Sequence, residues 1–71
     1  MNHIKIGAKY CHFKGCEVRV LALAKDSETT EDMVVYLELA DGIIWVRPLS
    51  AWFDQIVRPG IDQPRFTEIA E

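Results

Sequence analysis

Residues Glu17 to Ala24 read Glu-Val-Arg-Val-Leu-Ala-Leu-Ala, with Glu17 and Arg19 on one side of an alternating pattern and Val18 and Val20 on the other. A period of two marks a half-buried strand. From Leu21 both sides turn apolar, which predicts that the strand runs into a more enclosed region. Met33 to Leu39 is β-branched and aromatic and predicts a second strand. Ala40-Asp41-Gly42 predicts a tight hairpin turn, because Asp-Gly supplies positive φ angles. Ile43 to Arg47 is the return strand, and Pro48, lacking an N–H, should end it. Leu49, Trp52 and Phe53 fall at spacings of three and four, as in a single helical or 3-10 turn over 49–54 that plugs an open end of a sheet. Shorter strand candidates are Tyr10 to Phe13, before a bend at Lys14-Gly15, then Gln55 to Arg58 and Arg65 to Ile69. Pro59-Gly60 and Pro64 bracket a loop. The polar stretch from Lys25 to Asp32 links two strands. A rival reading, a short helix capped by Ser27 with Glu31 completing a capping box, yields to the β-branched run behind it. The fold class is therefore mainly β, a small five-stranded SH3-like barrel with a short plug near 49–54.

The length of 71 residues makes residues 1–71 a single domain, with 1–8 and 67–71 as loose termini. A chain of this size buries only about 60% of its unfolded surface, so its large rings belong inside. Trp45, Phe53 and Phe66 are assigned to the core. Tyr10 and Tyr36 are expected to be partly exposed, since their hydroxyls need a partner or water. The longest uncharged apolar run, Val20 to Ala24, falls far short of the roughly 20 residues that span a bilayer. The amino-terminal residues lack the apolar stretch of a secretory signal, so a cytoplasmic protein is expected. Cys11 and Cys16 then read as reduced thiols. A disulfide across the bend stays open if their Cα atoms lie within about 7 Å.

Eight Lys plus Arg stand against eleven Asp plus Glu, a net charge of −3. Nucleic-acid affinity comes largely from cations on phosphates, so such partners are disfavoured unless the positive residues share a face. A zinc site would need His3, Cys11, His12 and Cys16 to converge, and their spacing fits no zinc-finger pattern. No metal or cofactor is expected. His12 could exchange protons near neutral pH with Glu28 or Glu31 as partner, but a surface histidine bonded to a neighbour is the simpler reading. Cys11 cannot pair with His12 as a dyad on one strand, where adjacent side chains point to opposite faces. There is no nucleophile elbow and no Gly-rich phosphate loop.

The ordered set Tyr10-Cys11-His12-Phe13-Lys14-Gly15, Ser27-Glu28-Thr29, Met33-Val34-Val35-Tyr36, Trp45-Val46-Arg47-Pro48 and Pro64-Arg65-Phe66 resembles the small bacterial proteins of domain of unknown function 1653. The resemblance covers roughly Tyr10 to Phe66. It implies an architecture and a surface but no chemistry, since the family has no assigned activity. The chain departs from the family pattern at Cys11, where a basic residue is common, at Trp52, where Met is common, and at Ala40-Asp41, where Tyr-Gly is common.

The rings Tyr10, Phe13, Tyr36, Trp45, Trp52 and Phe66, with Lys14, Arg47 and Arg65 beside them, could form a stacking face. Small barrels bind peptides and single strands in this way. Arg47, at a strand end, could pair with Glu28 or Glu31, or present its planar fork to a partner. The expected function is a non-enzymatic binding module. Its ligand residues would be Tyr10, His12, Lys14, Tyr36, Arg47 and Glu28, and its partner a peptide or protein. Single-stranded nucleic-acid binding on the same face, and a small enzyme using His12 with a loop carboxylate, are the alternatives. A homodimer through an exposed edge strand is a further expectation.

Overall fold

The structure, a computed structural model, describes residues 4–70. Its elements in chain order are β1 (Lys9–His12), β2 (Glu17–Lys25), β3 (Asp32–Glu38), β4 (Ile44–Pro48), a 3-10 turn (Leu49–Ala51), β5 (Gln55–Arg58), β6 (Ile61–Pro64) and β7 (Phe66–Ile69). The mainly-β expectation holds, and the short plug stands where the Leu49/Trp52/Phe53 spacing put it. Five strands form one antiparallel sheet in the order β4-β3-β2-β1-β7, and β5 and β6 form a separate two-stranded ribbon. β4 and β7 are the edges of the larger sheet, and among the described residues no ladder joins them into a closed barrel.

The sheet nevertheless curls strongly. The register of β2 against β3 shifts between Val20 and Ala22, leaving Leu21 as an extra residue, and such a bulge bends the strand and sharpens its twist. Curling brings Arg47 of edge strand β4 to 5.8 Å from the ring of Phe66 on the opposite edge strand. The concave face carries Tyr10, Val18, Val20, Val34, Tyr36 and Phe66, all buried, in the alternation seen in β2 and β3.

Pro48 ends β4 and leads into the 3-10 turn, which delivers Trp52 into this concavity. The indole is completely buried. It lies flat on Phe66, 3.9 Å between ring centres, and edge-on to Tyr10 at 5.5 Å and Tyr36 at 5.1 Å. Ring contacts of these kinds add about 0.5–1.5 kcal/mol each beyond area burial.

Several ring assignments change. Tyr10 and Tyr36 are core residues, at 1% and 8% exposure, while Trp45 is 46% exposed. The main-chain N–H of Lys5 donates to the Tyr10 hydroxyl at 3.3 Å, so this phenol reaches a partner without reaching solvent. Trp45 sits on the edge strand, where no further strand covers it. The end of β2 is not enclosed either. Leu21, the bulged residue, and Leu23 are 40% and 46% exposed. Pro59-Gly60 and the residues after it form a hairpin, not a loop. Gly60 has φ +82°, as a proline-glycine turn requires, and Pro64 stands at the end of β6. The Asp41-Gly42 connection is wider than a two-residue turn. The Gly42 N–H donates to the Glu38 carbonyl, and the Ile43 N–H to the Asp41 side chain. Ile4 and Ala8 pack on the core, and residues 67–69 lie in β7 paired with β1.

Asp26, and not Ser27, organises the β2–β3 turn. Its side chain accepts the N–H groups of Glu28 and Thr29 at 2.8 and 3.1 Å. These bonds hold its carboxyl below the usual range. The turn closes with Thr30 at φ +61°, a left-handed conformation unfavourable for a β-branched residue.

Two stability effects follow. Trp52→Ala should remove about 3–5 kcal/mol, much of the stability of so small a domain, and read out in urea melts as a largely unfolded chain. Thr30→Gly should relieve the left-handed strain and stabilise the fold by about 0.5–1 kcal/mol, seen as a higher melting temperature by circular dichroism.

Candidate functional site

The β1–β2 turn builds the first part of the site. The His12 N–H donates to the Cys16 carbonyl and the Gly15 N–H to the His12 carbonyl, both at 2.7 Å, around the three-residue loop Phe13-Lys14-Gly15. Gly15 takes φ +98°, the left-handed position at which such a hairpin favours glycine. The loop is tied to the other end of the chain, since the Phe13 N–H donates to the Arg65 carbonyl at 2.8 Å. The Lys14 N–H donates to Nδ1 of His12 at 3.2 Å. Nδ1 is thus an acceptor, and the neutral imidazole carries its proton on Nε2.

Strand register supplies the rest. His12 pairs with Phe66, Val18 with Glu38, Tyr36 with Trp45, and Arg47 with Val34. Paired residues share a face, so side chains from five strands are set on one concave surface. There they line a concavity of about 180 Å3, formed by His12, Lys14, Cys16, Val18, Tyr36, Glu38, Arg47 and Phe66.

Of the six ligand residues expected from the sequence, the concavity holds His12, Lys14, Tyr36 and Arg47. Tyr10 does not belong to it, being core beneath Trp52. Glu28 lies elsewhere, in a shallow recess along the β2–β3 turn with Lys25, Asp26 and Met33. The expected ion pair of Arg47 with Glu28 or Glu31 does not form. Glu31 accepts a bond from the Ser50 hydroxyl at 3.4 Å, and no carboxylate of the described residues pairs with Arg47. His12 likewise meets no loop carboxylate, because the hairpin carrying Glu28 and Glu31 points away from the β1–β2 turn. The residues that sequence reasoning missed are Cys16, Val18 and Glu38, whereas Phe66, expected both in the core and among the stacking rings, serves as both. Glu38 could have been found from its place two positions after Tyr36 on the same strand face.

Arg47 and Lys14 both lie against rings. The guanidinium is 5.8 Å from the centre of Phe66, and the ammonium 5.8 Å from that of Phe13. Nε of Arg47 is buried without a hydrogen-bond partner among the described residues. Glu38 is the acid in the lining, so the two fixed cations exceed it by one. The positive surroundings mark His12. Burial lowers its pKa first, and the nearby charges of Arg47, Arg65 and Lys14 lower it further. Its ring packs against Phe13 at 4.6 Å and Phe66 at 5.0 Å.

Cys11 and Cys16 are free thiols. His3, considered with them for a metal set, lies outside the described residues, among which no cluster of His, Cys, Asp or Glu is suited to hold a metal ion. No helix of the described residues is long and apolar enough to cross a membrane.

The model of the family described as Protein of unknown function (DUF1653) matches residues 8–68. Among solved structures, the chain is similar to the crystal structure of a DUF1653 protein from Bordetella bronchiseptica. The two share 32% sequence identity at a TM-score of 0.79, over 89% of this chain and 85% of that one. No curated protein matches the chain.

The electrostatics of His12 are open to test. Folded His12 binds its proton less tightly than an unfolded histidine, whose pKa is about 6.5. Its contribution to stability is therefore intact above that value and is lost as the pH falls from there through the folded pKa. An NMR titration of the His12 ring should give a midpoint below 6.5. Arg47→Gln should move that midpoint upward, and an unmoved midpoint would contradict the placement of Arg47.

Proposed function

Since this chain belongs to the DUF1653 family, we propose its function from the geometry of its own concavity: it is a non-enzymatic binding module that holds part of a peptide or protein partner. The observation that carries this reading is the convergence of Arg47 and Lys14, neither paired with a carboxylate of the described residues, on a recess walled by Tyr36, Phe66 and His12. Unpaired cations beside rings are recognition groups that need little rearrangement to bind. The scaffold in this reading is SH3-like, supported by five antiparallel strands, the return of the last strand to the first, and the 3-10 plug. A cytoplasmic location accords with two unpaired cysteines. Self-association through β4 accords with the exposure of Ile44, Trp45 and Val46 on that edge.

Single-stranded nucleic acid is the lesser reading. Arg58 over Phe13 at 5.8 Å adds another ring-and-cation pair near Lys14, but the net charge of −3 and Glu38 in the recess oppose a polyanion.

The test compares immobilised wild-type protein with Lys14→Ala and Arg47→Ala, each first checked by circular dichroism. A partner retained by the wild type should be lost from both folded variants. Full retention by both would remove the recess from the binding surface.

A further inference from the structure

Three features of the recess bear on its ligand. First, its charges are unequal: Lys14 and Arg47 stand against Glu38, an excess of one positive charge with His12 neutral. A monoanion balances that excess, whereas a phosphate dianion overshoots it and meets Glu38. Second, its volume of about 180 Å3 is below the roughly 300–1,000 Å3 of pockets that enclose drug-sized ligands. It suits one amino-acid residue and not a nucleotide. Third, the walls beside the cations are apolar: Val18, Phe66 and the ring of Tyr36. A guanidinium offers a carboxylate two parallel N–H donors, and Nε2–H of His12 adds another donor to the lining.

We propose that the recess binds an α-carboxylate attached to an apolar side chain, with Arg47 and Lys14 taking the carboxylate and Val18, Phe66 and Tyr36 the side chain. This rests on the reading of the recess as a binding site and names its ligand. Two sources share the chemistry, the carboxyl terminus of a peptide and a free amino-acid-like acid.

The experiment uses the full-length 15N-labelled chain and follows the amide signals of Lys14, Gly15 and Cys16 and the Nε–H signal of Arg47. The probes are N-acetyl-leucine, N-acetyl-leucinamide, an acetylated tripeptide ending in leucine with a free carboxyl group, inorganic phosphate, and a short oligothymidylate. The two free acids should shift these signals, and the amide should not. Arg47→Gln should weaken binding roughly tenfold or more, and Lys14→Ala, at the exposed tip of the turn, by several-fold, each with an otherwise unchanged spectrum. Tighter binding of the tripeptide identifies a peptide end, and tighter binding of N-acetyl-leucine a free acid; either result supports the proposal. Equal shifts from the amide, or tighter binding of phosphate or oligothymidylate at the same residues, would overturn it while leaving the recess a binding site. Silence with every probe would also overturn it, and the capture experiment above then decides separately whether the recess binds a partner at all.

Discussion

The indole of Trp52, flat against Phe66 and edge-on to Tyr10 and Tyr36, is the contact on which the rest of the molecule depends. Those three rings belong to β7, β1 and β3, so one side chain fixes the curvature of the whole sheet. Among the described residues, no backbone ladder connects β4 with β7. Their approach is maintained by side chains, and Phe66 serves twice, as the surface on which Trp52 stacks and as a wall of the recess. Pro48 contributes indirectly by stopping β4 where the chain must leave the sheet to form the plug.

Packing at that junction leaves Arg47 and Lys14 without an ion-pair partner among the described residues, although Glu38 shares their recess. Arg47 occupies an inward position on an edge strand, opposite Val34 and near the ring of Phe66. Lys14 occupies the tip of a turn whose conformation is set by Gly15 and whose N–H holds His12. Much of the acidic charge is spent elsewhere. Glu17, Asp32, Asp54 and Glu68 meet lysines or an arginine outside the recess. The two exposed pairs, Lys5–Glu68 and Lys25–Asp32, add little, about 0–1 kcal/mol each. All these pairs together leave the concave side with a positive excess within a chain that is negative as a whole.

The strands with strong periodicity were legible in the residues. Val18 and Val20 announced the buried face of β2, and the β-branched run from Met33 announced β3. Trp52 was legible as part of a plug but not as the centre of the core, because nothing local reveals that three other rings converge on it. Tyr10 was misjudged because its hydroxyl is satisfied by the N–H of Lys5, a contact created by the path of the preceding chain. Half of the site followed the same logic. His12 and Lys14 are neighbours in sequence and share a turn, so their proximity could be read directly. Arg47 and Tyr36 meet them only through the register of three strand pairs, which no single segment specifies. Glu28 failed for the converse reason: it stands in the β2–β3 turn, at the opposite end of β2 from the turn that carries His12 and Lys14.

The unladdered gap between β4 and β7 has a mechanical consequence. A sheet held shut at one seam by side chains alone opens there first, since local opening follows the weakest cooperative connection. The recess lies beside that seam, with Arg47 on one bank and Phe66 on the other. An occupant touching both banks would act as a clasp. Its binding energy would appear as resistance of the whole domain to heat, growing with the logarithm of ligand concentration.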